Sequence, residues 1–161
     1  MKGIYLLLGS NLGDSLAMLK RATGLVEKKI GKVVNASSVY ATKAWGIEDQ
    51  PDFLNQVVEV DSAQEPEVIL SNANAIEKEL GRIRKIKWHS RIIDIDILHY
   101  GKLIVNTKNL VIPHAENENR KFVLFPMAEI APDFIHPKLN KTQEALLIGC
   151  KDKLGVEKLD S

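Results

Sequence analysis

Across residues 3–100 the apolar residues fall into strand and helix patterns in the order strand, helix, strand, strand, helix, strand, and no other feature restricts the fold as much. Gly3 to Leu8 is a continuous apolar run that stops at Gly9-Ser10-Asn11, the pattern of a buried strand closed by a turn. Asp14 is placed to cap a helix in which Leu16, Leu19, Ala22 and Val26 recur at helical spacing until Gly31. Val33 to Tyr40, rich in β-branched residues, predicts a second strand, and Phe53 to Val60 a third. Pro66 to Leu80 carries Val68, Ile69, Ala73, Ile76 and Leu80 on a helical period, with Pro66 in its first turn and Gly81 as its stop. Arg91 to Tyr100 predicts the fourth strand.

That order is the split β-α-β arrangement, so the expected fold is a ferredoxin-like α+β sandwich. Leu103 to Val105 adds a further strand, and short helices are expected near Phe122 to Ile130 and Thr142 to Ile148. The chain of 161 residues, 45% of them hydrophobic, suits one domain over residues 1–150. Residues 151–161 are charged and thin in apolar side chains, so they are expected to be a loosely held tail whose loss matters little. With 22 Lys and Arg against 21 Asp and Glu, no overall field draws the chain to nucleic acid or to an anionic membrane. The single cysteine, Cys150, excludes an internal disulfide, and the first apolar run is too short for a signal or a membrane span. A cytoplasmic, soluble protein is expected.

Two local charge patterns stand out against this neutral background. In Ile92-Ile93-Asp94-Ile95-Asp96-Ile97-Leu98 the side chains alternate, so Asp94 and Asp96 share one strand face while Ile93, Ile95 and Ile97 anchor the other. Two neighbouring carboxylates repel, and a hard divalent cation such as magnesium offsets this, completing its shell with water and phosphate oxygens. The alternative is an acidic solvated face, the common fate of such a pair taken alone. Immediately upstream, residues 82–91 hold five firm positive charges, Arg82, Arg84, Lys85, Lys87 and Arg91, and no acid. A metal-chelated triphosphate could be gripped between the basic run and the acidic pair, as transfer of a phosphoryl group requires. Trp88 within that run is either a core anchor or a lid over a planar ligand. Thr42 to Asp52, with Gly46, Pro51 and Trp45, predicts a long functional loop. The segments Thr42 to Asp52 and Arg82 to Ser90 are expected to close over the ligands and exclude water.

At Gly9 to Gly13, Asp49 to Asn55, Gly81 to Arg84, Arg91 to Ile97, Val111 to His114 and Asn119 to Leu124 the chain resembles the 6-hydroxymethyl-7,8-dihydropterin pyrophosphokinases. The resemblance runs from Gly3 to about Pro137. It implies a ferredoxin-like monomer that takes ATP as co-substrate and a reduced pterin as acceptor, uses two magnesium ions, and releases AMP. It further implies that Asp94 and Asp96 hold both metals, and that Arg82, Arg84, Arg91, His114 and Arg120 contact phosphates, with Arg82 and Arg91 acting in catalysis. Asn74, Glu77, Trp88 and Ile97 match positions on the nucleotide side. Phe53 and Phe122 would sandwich the pterin, Asn55 would meet its edge, and Thr42 and Trp45 would border the pocket.

Each of these has a plain structural alternative: Phe53 and Phe122 as core aromatics, Asn55 as a turn residue, Glu77 as a solvated helix position, His114 as a strand end. The joint occurrence of the motifs favours the functional reading. Departures from the family pattern are His89 in place of a small residue, Asn74 in place of a longer Gln, Asn109 where Arg is frequent, and Ala115 where an aromatic occurs. Two rival readings are a single-strand nucleic-acid module, against which Asp94 and Asp96 argue by repelling a phosphate backbone, and a ligand sensor of the same fold without turnover.

Overall fold

The structure is a computed structural model and describes residues 1–42, 52–81 and 92–159. All seven residues of β1 (Ile4–Ser10) are buried, as fits an interior strand covered on both faces. It lies between β4 (Phe53–Asp61) and β5 (Asp94–Tyr100), antiparallel to both. The main sheet runs β5-β1-β4-β3-β8, with β3 spanning Tyr40–Thr42, β8 spanning Val156–Lys158, and β2 (Lys32–Ala36) also pairing with β4. This antiparallel sheet with helices on both faces is the α+β sandwich that the pattern of elements predicts.

The alternation within β1 supplies two cores. Ile4, Leu6 and Leu8 pack with Leu19, Ala22 and Val26 of α1 (Ser15–Lys29) and with Ile69, Ala73 and Ile76 of α2 (Pro66–Glu79). Tyr5 and Leu7 turn to the other face, where Val57, Leu98, and Val123 and Met127 of α3 (Lys121–Ile130) cover them. Both long helices begin and end where expected. Asp14 accepts from the Ala17 N–H at 3.1 Å, and Gly81 follows α2 at φ +92°, a conformation glycine adopts without penalty. Leu16 and Val68, placed on the apolar faces by spacing, are instead 47% exposed at the rims of their helices. None of the helices among the described residues is long and apolar enough to cross a membrane.

Three expectations need correction. The single strand expected over Val33 to Tyr40 is two, because Ser37 replaces part of the ladder. Its N–H donates to Val57 O at 2.8 Å and its Oγ accepts from Val57 N–H at 3.0 Å. Between the pairs Ala36↔Val58 and Tyr40↔Asn55, four steps along one chain match three along β4, so the strand must break. The extra strand is displaced to β6 (Val105–Asn106), which among the described residues pairs only with β7 (Val111–Ile112) in a separate hairpin. The tail from residue 151 is not loosely held over its described part. β8 pairs with β3, and the Leu159 N–H donates to Val39 O at 2.9 Å. Few apolar side chains are needed there, because the edge of β3 offers backbone groups that pairing satisfies. The short helices form as α3 and as α4 (Gln143–Gly149), whose cap Thr142 accepts from Ala145 N–H at 3.1 Å.

Candidate active site

On the α3 face, neighbouring residues of three adjacent strands floor a cleft of about 470 Å³. β1 contributes Leu7 and Gly9, β4 Phe53 and Asn55, and β5 Asp94, Asp96 and Leu98. The register sets Asn55, Gly9 and Asp94 abreast, with Val57, Leu7 and Asp96 in the next row and Thr42 beside Phe53. Period-two alternation therefore brings the two aspartates, an amide and an aromatic ring to one surface. Ile93, Ile95 and Ile97 point into the opposite core, as the sequence pattern requires.

Gly9 is the low point of the floor. A Cβ there would lie 2.7 Å from Asn55 Oδ1, so the missing side chain is what lets the Asn55 amide lie across β1. Thr42 Oγ1 is buried in the same cleft and has no hydrogen-bond partner among the described residues, a polar atom that a bound ligand could satisfy.

The strand carrying the aspartates is braced from β1 on one side and along its outer edge on the other. Ser10 Oγ donates to Ile92 O just before Asp94. Glu77 of α2, only 3% exposed, accepts the Ile95 N–H at 2.8 Å. Leu98 O accepts from His114 N–H at 3.1 Å and from Asn117 Nδ2 at 3.0 Å, which holds His114 at the rim. Among the described residues β5 is the last strand of its sheet on this side, so Glu77, His114 and Asn117 meet backbone groups that a further strand would otherwise pair. A Glu77→Ala change should leave the Ile95 N–H without that acceptor in a dry site and destabilise the fold by about 1–3 kcal/mol. Glu77→Gln should keep an acceptor and lose less. Urea unfolding of both variants measures this, and an unshifted midpoint for Glu77→Ala would remove the brace.

The far wall comes from the start of α3. Asn119, Arg120, Phe122 and Val123 line the cleft, and the Arg120 guanidinium carbon lies 5.7 Å from the Phe122 ring centre, within cation–π range. Asp152 and Leu154 of the tail close that side. Behind Leu98, His99 is fully buried against Tyr5, Phe134 and His136, and burial pushes its imidazole down to about 3. It is neutral near pH 7, a core residue and no cation for phosphate.

Of the candidate residues, Thr42, Phe53, Asn55, Asp94, Asp96, His114, Arg120 and Phe122 share this cleft. Asn74, Glu77 and Ile97 do not line it: Asn74 is exposed on α2, while Glu77 and Ile97 are buried on the helix side of the sheet. The reason is parity and topology, since Ile97 alternates with Asp96 and α2 covers the opposite face. Trp45, Arg82, Arg84, Trp88 and Arg91 lie outside the described residues, as do most of the two segments expected to close over ligands. The reading from sequence did not assign Leu7, Leu98, Asn119, Val123, Asp152 or Leu154 to the site. Leu7 and Leu98 follow from the same alternation that places the aspartates. Asp152 and Leu154 have no local signal.

Comparison with known proteins gives a family and a fold. The model of the 7,8-dihydro-6-hydroxymethylpterin-pyrophosphokinase family matches residues 5–132. A 2-amino-4-hydroxy-6-hydroxymethyldihydropteridine pyrophosphokinase of Aquifex aeolicus is 40% identical over 141 residues, covering 88% of each chain. One of Methylorubrum extorquens is 44% identical over 136 residues, covering 84% of this chain and 86% of the relative. In fold, a crystal structure of Plasmodium falciparum HPPK-DHPS superposes with a TM-score of 0.75 at 20% identity, over 90% of this chain but 42% of that one. A cleft with a strand-borne aspartate pair facing an aromatic and amide wall, and a family match over most of the sequence, lead to one assignment: the chain belongs to the 7,8-dihydro-6-hydroxymethylpterin-pyrophosphokinase family.

Proposed function

We propose that the chain performs its family's reaction in this cleft, moving the β,γ-diphosphate of ATP onto the hydroxymethyl group of 6-hydroxymethyl-7,8-dihydropterin. The products are AMP and the pterin diphosphate, a step of folate biosynthesis. One observation carries the reading: two carboxylates and a set of flat and amide side chains occupy different strands of one continuous cleft floor. Phe53 and Phe122 suit the two faces of a heteroaromatic ring, and Asn55 and the Thr42 hydroxyl, which has no partner among the described residues, suit its polar edge.

Asp94 and Asp96 fit magnesium. They are hard oxygen donors, partly exposed, on one face of a braced strand, and such an ion needs only one or two carboxylates beside water and phosphate. We assign them two ions, which when bound would neutralise triphosphate charge. Arg120 and His114 at the rim, with Arg82, Arg84 and Arg91, would hold phosphate oxygens, and Arg82 and Arg91 would offset charge as AMP leaves. The hydroxyl oxygen attacks the β-phosphorus in line, the bond to the AMP oxygen breaks, and the hydroxyl proton passes to solvent. The chain acts as a cytoplasmic monomer on these two small molecules.

The test follows AMP, ADP and pterin diphosphate with purified protein. AMP should form only with ATP, magnesium and the pterin together, and EDTA should abolish it. ADP formation, or no product from folded protein, would overturn the assignment.

A further inference from the structure

We propose that the tail over residues 152–159 is a working part of the site: Asp152 positions Arg120 and Phe122, and Leu154 is an apolar wall at the pterin end. The proposal rests on the pterin reading above and deepens it. The family model ends at residue 132, so nothing in that match assigns a role to these residues.

The argument begins at α3. Its cap residue Arg120 makes no side-chain capping bond, so the first N–H groups of the helix need an acceptor from elsewhere. Asp152 supplies it: one carboxylate oxygen accepts the Lys121 N–H at 3.0 Å and the other accepts the Leu154 N–H at 2.9 Å. An anion at a helix start is also favoured by the helix dipole. Lys121 sits between Arg120 and Phe122, so this bond fixes the backbone from which both cleft side chains project. The same carboxylate sets the turn that delivers Leu154 to the cleft.

From there the tail crosses to the other side. Val156 pairs with Thr42, Lys158 with Tyr40, and the Lys158 ammonium lies 3.7 Å from Glu129 of α3. Glu129 in turn accepts from Tyr40 Oη at 2.7 Å and from Ser38 N–H at 3.0 Å. The tail thus ties α3 to β3 at two points, with Leu154 held between them. Sheet order decides which ligand it meets. Asp94 and Asp96 are on β5 at one edge, whereas β8 lies beside β3, the strand of Thr42, and β3 beside β4, the strand of Phe53. The tail borders the amide and aromatic end, away from the metal-binding carboxylates.

The experiment uses the full chain and four variants, Leu154→Ala, Leu154→Asp, Asp152→Ala and Asp152→Asn. AMP formation is measured against pterin and against ATP separately, pterin binding by fluorescence titration, and stability by thermal unfolding. Leu154 is half-buried, and loss of its side chain from a wall that a bound pterin would cover should raise the pterin KM and Kd by about tenfold for Leu154→Ala, and further for Leu154→Asp. The ATP KM should stay within about twofold of the parent by the same reasoning. Asp152→Ala should raise the pterin KM and lower kcat, because Phe122 and Arg120 lose their common anchor. Asp152→Asn keeps one of the two oxygen acceptors and should recover part of that loss. A tail that only stabilises the fold would lower the unfolding temperature and leave the pterin KM of the folded enzyme unchanged. That result, or equal changes in the ATP and pterin constants of the two Leu154 variants, overturns the proposal; Asp152→Ala disturbs Arg120 as well as Phe122 and is read on kcat and the pterin KM. If the parent forms AMP and these constants do not separate, the tail proposal fails alone. If the parent neither binds nor turns over the pterin, the functional reading fails and the proposal with it.

Discussion

Asp96→Ala should fold and yet lose about three orders of magnitude in turnover, the scale expected when one oxygen donor to a charge-stabilising site is removed. Asp96 projects from the cleft face of β5 opposite Leu7, and the strand keeps its anchors without it. Ile93, Ile95 and Ile97 remain in the helix-side core, and the Glu77 bond to Ile95 N–H involves backbone only on the β5 side. Asp96→Asn separates charge from shape, since the amide fills the same space without a formal charge. If Asp96 serves as a metal ligand, both variants should lose comparable turnover, and raising the magnesium concentration should partly restore Asp96→Asn. Single-turnover AMP release is the direct measurement, with circular dichroism to establish folding. Activity within tenfold of the parent in Asp96→Ala would end the metal assignment and leave the pair as an acidic strand face.

The alternation that places Asp96 was legible because it is local: period two across residues 92–98 requires no knowledge of neighbours. The helix caps at Asp14 and Gly81 were legible for the same reason. What escaped depends on partners distant in sequence. Ser37 breaks a strand because its hydroxyl meets Val57, twenty residues away, and no propensity in Val33 to Tyr40 foretells that contact. At Leu98 the pairing with β1 skips a residue, Leu6↔Ile97 being followed by Tyr5↔His99, so the faces exchange and Tyr100 rather than His99 joins the helix-side core. A strand read alone gives no sign of this bulge.

Glu77 shows the same limit in the site. The resemblance put it on the nucleotide side, with a solvated helix position as the plain alternative; among the described residues β5 is an edge whose Ile95 N–H takes Glu77 as acceptor, and only the sheet order reveals that bond. The walls from His114, Arg120 and Phe122 came from resemblance, not from any pattern linking them to Asp94. The tail was missed because composition reports apolar content, whereas its attachment is by backbone pairing, one carboxylate and one ion pair.

Gly9→Ala should separate binding from stability. Gly9 lies in a central strand and is absent from the positive-φ glycines, so alanine fits its backbone, and replacing a strand glycine should be neutral or gain up to about 1 kcal/mol. The new Cβ would nevertheless stand 2.7 Å from Asn55 Oδ1, well inside contact distance. The atom it meets is the free end of a side chain, so the Asn55 amide turns away while both backbones stay paired through Gly9↔Asn55. An unchanged or higher unfolding midpoint is therefore expected. The pterin Kd should rise by about 10- to 100-fold, because a ligand edge that loses its amide partners in a dry site forfeits on the order of 1–3 kcal/mol. The ATP Kd should not follow. A double-mutant cycle then decides the cause: in an Asn55→Ala background, where no amide remains to displace, Gly9→Ala should add almost nothing. If the two losses add in full, Gly9 acts on the cleft by another route, and Asn55 is not the group that the glycine makes room for.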